Sequence, residues 1–341
     1  MSIYSIAVDL GGTNLRIAAV SDAGKMLEKV TTGTEVKKGR DFVIREMTEA
    51  IRSLMTKHLD SGELAGIGIG VPGFIDMDTG MVMRSPNLQD WANFPVREEI
   101  EKLLGTKVIL ENDANAAAMG EKWLGAGRNH DHMAMYTLGT GVGGGIVMNG
   151  HLWHGVNGMA GELGHFNIES DGHPCGCGSR GCLEQYASAT AIVRMAREAI
   201  DSGNAPDLAD LANGNVEFTS RSVYQLAVQN HPSAQKIYHT VGRALGIGVG
   251  SMINALNLPM YVIGGGVSSA WNAFAPSMFE ELKFRSFIYS ITAPDHVQPG
   301  QKHTVVTIAL MGSDAGLYGA ARLPMLPAAT QTETVRSASN S

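Results

Sequence analysis

The 341-residue chain has only three cysteines, and all of them fall between Cys175 and Cys182. An odd, clustered set excludes a disulfide framework and points instead to a metal site in a reducing compartment, so a cytoplasmic location is expected. Charged residues make up only 17% of the chain, and the net charge is −7. That balance gives no general attraction for nucleic acid or anionic lipid, so neither is expected as a partner. An anionic nucleotide would need local help from backbone amides, a metal ion or single Lys and Arg residues. No apolar run approaches the length of a bilayer span. Met1 to Val8 lacks a basic region followed by an apolar stretch, so no secretion signal is expected.

What the chain has in quantity is glycine, 42 residues, concentrated after apolar runs. Such glycines let a backbone approach a ligand closely. The length exceeds one ordinary hydrophobic core, and an apolar content of 44% fits a globular enzyme, so two domains are expected. Ser5 to Val8 and Leu15 to Val20 read as strands around the glycine tip Asp9-Leu10-Gly11-Gly12-Thr13-Asn14. Asp41 to His58 has helical spacing, Gly66 to Val71 reads as a buried strand stopped by Pro72-Gly73, and Val96 to Leu104 as a helix. Lys107 to Leu110 reads as a strand ending in Glu111-Asn112-Asp113, followed by a helix from about Ala114 to Leu124.

The pattern then restarts: strand Met133 to Leu138, a second tip from Gly139 to Gly145, and strand Ile146 to Met148. The recurrence suggests two related halves with a cleft between them. Helices are expected over Ala187 to Ser202, Ser233 to Asn257 and Asp314 to Arg322, and strands over Met260 to Ile263 and Val305 to Ala309. Alternating strands and helices imply an α/β fold. Residues 327–341 are expected to be disordered, being mostly Ala, Ser, Thr, Gln and Asn.

Several residues could carry chemistry. Phosphate needs several N–H donors aimed at one point, which either glycine tip could supply, although tight hairpins alone would also explain them. Neither tip is followed by the Gly-Lys-Ser/Thr of a Walker A loop, and neither precedes a helix with a ribose-binding acid at the usual spacing. Asp9, at the end of the first strand, could hold Mg²⁺ through water, or simply cap the turn. Asp113 is the candidate catalytic base: it ends a strand and opens a helix, where the dipole favours the ionised carboxylate. An N-cap role alone would also account for an Asp there. Asn112 offers an amide to a hydroxyl. Phosphoryl transfer asks its base only to orient the hydroxyl and finally accept its proton, so a weak base suffices.

The most specific signal is His165 with Cys175, Cys177 and Cys182. Three thiolates and an imidazole match tetrahedral zinc ligation with every position filled by protein, hence a structural zinc. The same loop carries Glu162 and Glu184, so zinc would order a segment able to read sugar hydroxyls, with His165 using one ring nitrogen for each task. His151, His154 and His173 read as polar loop histidines, His173 being a fallback metal ligand. Trp91 could sit at a ligand mouth or shield the interior.

Together these residues resemble the ROK family of sugar kinases and sugar-responsive repressors, within the actin-like ATPase superfamily. The resemblance runs from Asp9 to about Leu323, through Asp9 to Asn14, Glu111 to Asn115, Leu138 to Gly145, Gly161 to His165, Cys175 to Glu184 and Ile263 to Val267. It implies a two-domain actin-like ATPase (sugar kinase) fold with an interdomain cleft, a small domain of 1–118 plus 313–326 and a large domain of 119–312. It implies ATP-dependent phosphorylation of the 6-hydroxyl of a hexose. Asp9, Gly11, Gly12, Thr13, Asn14, Gly139, Thr140 and Gly141 would contact ATP phosphates with Mg²⁺, and Gly264, Gly265 and Gly266 would lie near the adenosine. Asp113 would be the base. Asn112, Glu162, His165 and Glu184 would hold the other hydroxyls, with Gly73 and Asn87 lining the pocket. His165, Cys175, Cys177 and Cys182 would bind Zn²⁺. Members are commonly homodimers or homotetramers. Cys182 to Ser188 is similar to the glucose-phosphorylating branch, with N-acetylmannosamine, N-acetylglucosamine and fructose kinases of the family as alternatives, and polyphosphate as an alternative donor. A sugar-sensing regulator is the other class. The first strand starts by Ile3 to Ser5, where family repressors carry a helix-turn-helix, and the acidic charge also argues against DNA contact.

Overall fold

The computed structural model describes residues 2–85, 87–209 and 218–327. The expected disordered tail therefore lies almost entirely outside the described residues. Two compact units are present. The first comprises residues 1–131, 145–161 and 313–341, and the second residues 132–144 and 162–312. The sequence-based boundary at 118 falls inside a continuous helix, Asp113–Trp123. Residues 119–131 consequently group with the first unit, as do 145–161.

The first unit is built on a five-stranded sheet. Its strands are β1 (Ile3–Leu10), β2 (Asn14–Ser21), β3 (Met26–Gly33), β4 (Glu63–Val71) and β7 (Val108–Asn112), in the order β3-β2-β1-β4-β7. β1 is antiparallel to β2 and parallel to β4, which is parallel to β7. Strand alternation sorts the side chains by size. Ile6, Val8 and Leu10 of β1 join Met47, Ile51, Ile69, Trp91 and Ile100 in a core of large residues. Ala7 points the other way, into a cluster with Ala18, Leu317, Ala320 and Ala321. Helices α1 (Arg40–Lys57) and α2 (Val96–Leu104) contribute to the first core, and the C-terminal helix Ala315–Arg322 to the second.

The small-residue face permits a close crossing between α3 (Asp113–Trp123) and the C-terminal helix. A Cβ on Gly319 would overlap the Ala116 carbonyl oxygen, and one on Gly120 would overlap that of Ala315. Trp91 is fully buried in the large-residue core rather than at a ligand mouth. A short hairpin, β5 (Phe74–Asp76) and β6 (Met81–Arg84), follows β4.

In the second unit, β8 (Met133–Leu138), β11 (Met260–Gly264) and β12 (Val305–Ile308) run parallel, with β11 between its two partners. β9 (Val142–Met148) begins in this unit and continues into the segment grouped with the first, where Val147 and Met148 pair with β10 (His151–Leu152). The strand, glycine tip and strand read from the sequence thus recur as β1–β2 and β8–β9. In each case the leading strand has a parallel neighbour. The helix Pro232–Leu256 crosses Trp271–Arg285 closely, since a Cβ on Gly242 would overlap the Phe274 carbonyl oxygen.

The helix expected from Ala187 to Ser202 is present, starting at Ala189, and a separate short helix precedes it. α4 (Glu184–Ala187) ends at Ser188, whose hydroxyl accepts from Ala191 N at 3.1 Å and caps α5 (Ala189–Asp201). A serine side chain that satisfies the orphan donors of a new first turn is enough to separate the two. β3, the β5–β6 hairpin and the helices Ser220–Val228 and Trp271–Arg285 are additions to the sequence reading. The last carries Pro276 in its interior, which masks its helical character. Among the described residues, no helix is long and apolar enough to cross a membrane.

Candidate functional site

In the first unit, the C-terminal ends of three parallel strands lie side by side. Asp9 of β1 is level with Gly70 of β4, and Gly70 with Glu111 of β7. Strand ends of open α/β sheets are where ligands bind, because the loops that follow can present backbone and side-chain groups without breaking the sheet. Those loops are the first glycine tip, Pro72-Gly73 and the start of α3.

Asp9 faces Arg16 across the β1–β2 ladder, and Arg16 Nη1 donates to Asp9 Oδ2 at 3.1 Å and to Ser313 O at 2.7 Å. Burial pushes the Asp9 carboxyl above its ordinary value, and the Arg16 guanidinium opposes the shift. The tip is closed by Gly11 N donating to Asn14 O at 2.9 Å, and is braced from behind by Thr34 Oγ1 donating to Gly11 O at 2.6 Å. Gly12, Thr13 and Asn14 are exposed. A Cβ on Gly12 would lie 3.3 Å from Asn87 Cβ, so Asn87, itself exposed, stands next to the tip.

Asn112, not Asp113, caps α3. Its Oδ1 accepts from Ala114 N at 2.9 Å and Asn115 N at 3.1 Å, and its Nδ2 donates to Gly73 O at 3.1 Å. Three of its hydrogen-bonding capacities are therefore spent on the protein, leaving one N–H for a ligand. Gly73 has φ +125°, and a Cβ there would overlap the Arg84 carbonyl oxygen, so the turn requires glycine. Asp113 occupies the first helical position, with Oδ1 accepting from Ala114 N at 2.9 Å. A carboxylate at this position gains from the positive end of the helix dipole.

His154, read from sequence as a polar loop residue, is instead bonded to buried Glu111, Nε2 to Oε2 at 2.7 Å. No spacing rule could have paired two residues 43 apart. His173 contacts Pro174 O through Nδ1 at 2.9 Å and lies outside the cysteine cluster.

In the second unit, the glycine tip after β8 is held by the helices that follow the cysteines. Gly139 N donates to Gly141 O, and Ala189 N to Gly139 O, both at 2.9 Å; Thr190 Oγ1 donates to Thr140 O at 2.8 Å. Val142 N donates to Glu184 Oε2 at 3.0 Å. Gly264 pairs with Thr137 on the neighbouring strand, and Gly265 has φ +84° with no room for a Cβ beside Leu138 N. The second tip and Gly264-Gly265-Gly266 are therefore adjacent. A cavity of about 500 Å³ opens next to them, lined by Gly266, Val267, Arg221, Tyr224, Gln225 and Tyr238.

His165, Cys175, Cys177 and Cys182 offer ligand atoms that all lie within 4.8 Å of one another. His165 turns Nδ1 toward Cys175 Sγ, 3.7 Å away, while its Nε2 is 3.8 Å from Glu162 Oε2. Three sulfurs and one imidazole nitrogen converging on one point fit a tetrahedral, borderline-soft divalent ion. Cys175 also receives a bond from Gln185 Nε2 at 3.6 Å, and Glu184 Oε1 is 4.0 Å from its sulfur. Burial pushes the Glu162 carboxyl above its ordinary value; the nearby Glu184 adds to the shift, and His165 opposes it.

Comparison with known proteins matches residues 5–325 to the ROK family model. The chain is 40% identical over 319 residues to a glucokinase of Thermotoga maritima, covering 93% of this chain and 96% of that protein. It is 30% identical over 284 residues to a xylose repressor of Caldicellulosiruptor bescii, covering 83% of this chain and 71% of that protein. Among solved structures, it is similar to a ROK family glucokinase from Streptomyces griseus in complex with glucose and AMPPNP. The TM-score is 0.75 at 32% identity, covering 94% of this chain and 98% of that one. With a family match spanning nearly its whole length, the chain belongs to the ROK family.

Proposed function

We propose that this chain is an ATP-dependent hexokinase that phosphorylates the 6-hydroxyl of glucose. The observation that carries this reading is its 40% identity to a glucokinase over 93% of the chain. It is supported by a carboxylate, Asp113, at the first position of a helix on the ligand-binding edge of a sheet.

Asp113 orients the attacking hydroxyl and accepts its proton as the bond to phosphorus forms. A loose transition state places little demand on base strength, so an ionised carboxylate at a helix N-terminus is sufficient. The remaining N–H of Asn112 donates to one sugar hydroxyl. Glu162, His165 and Glu184 take the others, Glu184 with the oxygen that does not hold Val142 N. Gly73 and Asn87 complete the sugar-lining set. Gly11, Gly12, Thr13 and Asn14, with Gly139, Thr140 and Gly141, offer backbone donors to the nucleotide phosphates. The cavity at Gly266 suits a purine base, being walled by two tyrosines, and Gly264 and Gly265 let the chain run close beside it. Asp9 would hold Mg²⁺ through water, and the ion would supply neutralisation of phosphate charge. The cysteine cluster and His165 would hold a structural zinc whose contribution is to fix the loop bearing Glu162 and Glu184. The clustered thiols suit a reducing compartment, the cytoplasm.

The test is a coupled assay across glucose, mannose, fructose, N-acetylglucosamine and N-acetylmannosamine, with ATP and with polyphosphate. Glucose with ATP is expected to give the highest kcat/KM. Preference for another hexose would move the substrate while keeping the reaction. Absence of turnover on every sugar, with binding to genomic DNA fragments, would favour the second reading, a sugar-sensing regulator, which the repressor relatives support.

A further inference from the structure

Glu111 is 2% exposed, yet both its oxygens are occupied. Oε1 accepts from Asn112 N at 2.9 Å and from Asn115 Nδ2 at 3.0 Å; Oε2 meets His154 Nε2 at 2.7 Å. The donors on Oε1 come from the residues just before and just after Asp113-Ala114, so this carboxylate ties the end of β7 to the first turn of α3. His154 is itself fixed from two sides. Trp153 N donates to Ile146 O at 2.8 Å, and Ala160 N to His154 O at 3.1 Å. Burial draws the His154 imidazole down, but the charge and hydrogen bond of Glu111 outweigh it, and its pKa sits above the ordinary value. A charged donor on a buried carboxylate is a strong, directional bond, and loss of one partner strands the other in a low-dielectric site.

We propose that His154 is a positioning residue for phosphoryl transfer, holding Glu111 and through it the strand–helix junction that aims the carboxylate of Asp113. The proposal rests on the reading of Asp113 as the base. His154 reaches Asn112 and Asp113 only through Glu111, whose Oε1 bonds run to the backbone N of Asn112 and the side chain of Asn115. A displacement of Asp113 by about 1 Å would lower the rate on the order of a hundredfold while leaving the binding surfaces in place.

The experiment compares full-length wild type with His154→Leu, His154→Gln and His154→Asn in steady-state kinetics for glucose and ATP. The leucine variant is expected to lose about 10- to 100-fold in kcat, with both KM values within about threefold of wild type. The glutamine amide can reach Glu111 Oε2 and is expected to recover at least about tenfold of that loss. The shorter asparagine cannot reach and should resemble leucine, so the Gln–Asn pair decides the matter if the leucine variant fails to fold. Equal kcat in the Gln and Asn variants would overturn the proposal. So would a leucine variant that changes only the melting temperature, or that raises KM at constant kcat. Asp113→Ala, run alongside, keeps the two readings apart. Full activity in that variant removes the base assignment, whereas an inactive Asp113→Ala beside a fully active His154→Leu removes only the role given to His154.

Discussion

Glu184 and Val142 are 42 residues apart, yet the carboxylate of one accepts the backbone N–H of the other at 3.0 Å. Glu184 lies two residues after Cys182, and Val142 opens the strand that follows the second glycine tip. One side chain therefore ties the cysteine loop to the proposed phosphate loop, with its other oxygen 4.0 Å from Cys175 Sγ. The loop proposed to read the sugar and the loop proposed to hold phosphate share one support.

Gly141→Ala tests that support. A Cβ at this position would overlap Glu184 Oε2, and the carboxylate must leave Val142 N to make room. Misplacing a group that positions substrate by about 1 Å costs on the order of a hundredfold, so kcat/KM for glucose is expected to fall about 10- to 100-fold. Steady-state kinetics reads the effect, and an unchanged kcat/KM would mean that Glu184 can move without consequence.

Asp113→Ala is expected to lower kcat by about 10²–10⁴-fold, the usual contribution of a positioned base. The cap survives in this variant, because Asn112 Oδ1 accepts from both Ala114 N and Asn115 N, and Asp113 shares only the first of them. Glucose affinity by calorimetry should therefore change little. Activity above about a hundredth of wild type would contradict the base role.

Removing the metal should weaken sugar binding more than nucleotide binding. The purified protein is expected to carry one zinc per chain by elemental analysis, and Cys182→Ser to lose it. The glucose KM should rise in the metal-free protein, because Glu162 and Glu184 flank ligands whose positions the ion fixes. Verified zinc-free protein with an unchanged glucose KM would refute this coupling.

The Glu111–His154 pair gives stability a defined pH dependence. Because the folded-state pKa of His154 is raised above its ordinary 6.5, the pair's contribution is fully present below that value. It is lost as pH rises through the folded value. The melting temperature of wild type should exceed that of His154→Gln by more at about pH 6 than at about pH 9. An equal gap at both pH values would mean that the imidazole stays neutral in the folded chain.

The amino-acid sequence alone determined the repeated strand–tip–strand, the clustering of His165 with the three cysteines and the placement of Asp113 at a strand–helix junction. Each is local in the chain: side-chain period, turn composition and ligand spacing are set by neighbours a few residues apart. Helix α2 is an example, running over Val96–Leu104 as its spacing indicates. Only the tertiary structure decided that Asn112 is the cap and donates one amide N–H to Gly73, that Trp91 is core, and that His154 belongs to Glu111. Those partners are 39 and 43 residues apart for the two polar pairs. Asn112 and Gly73 meet because the parallel pairing of β4 with β7 brings the ends of those strands to one edge, and burial of the Glu111 carboxylate favours a partner from a distant segment.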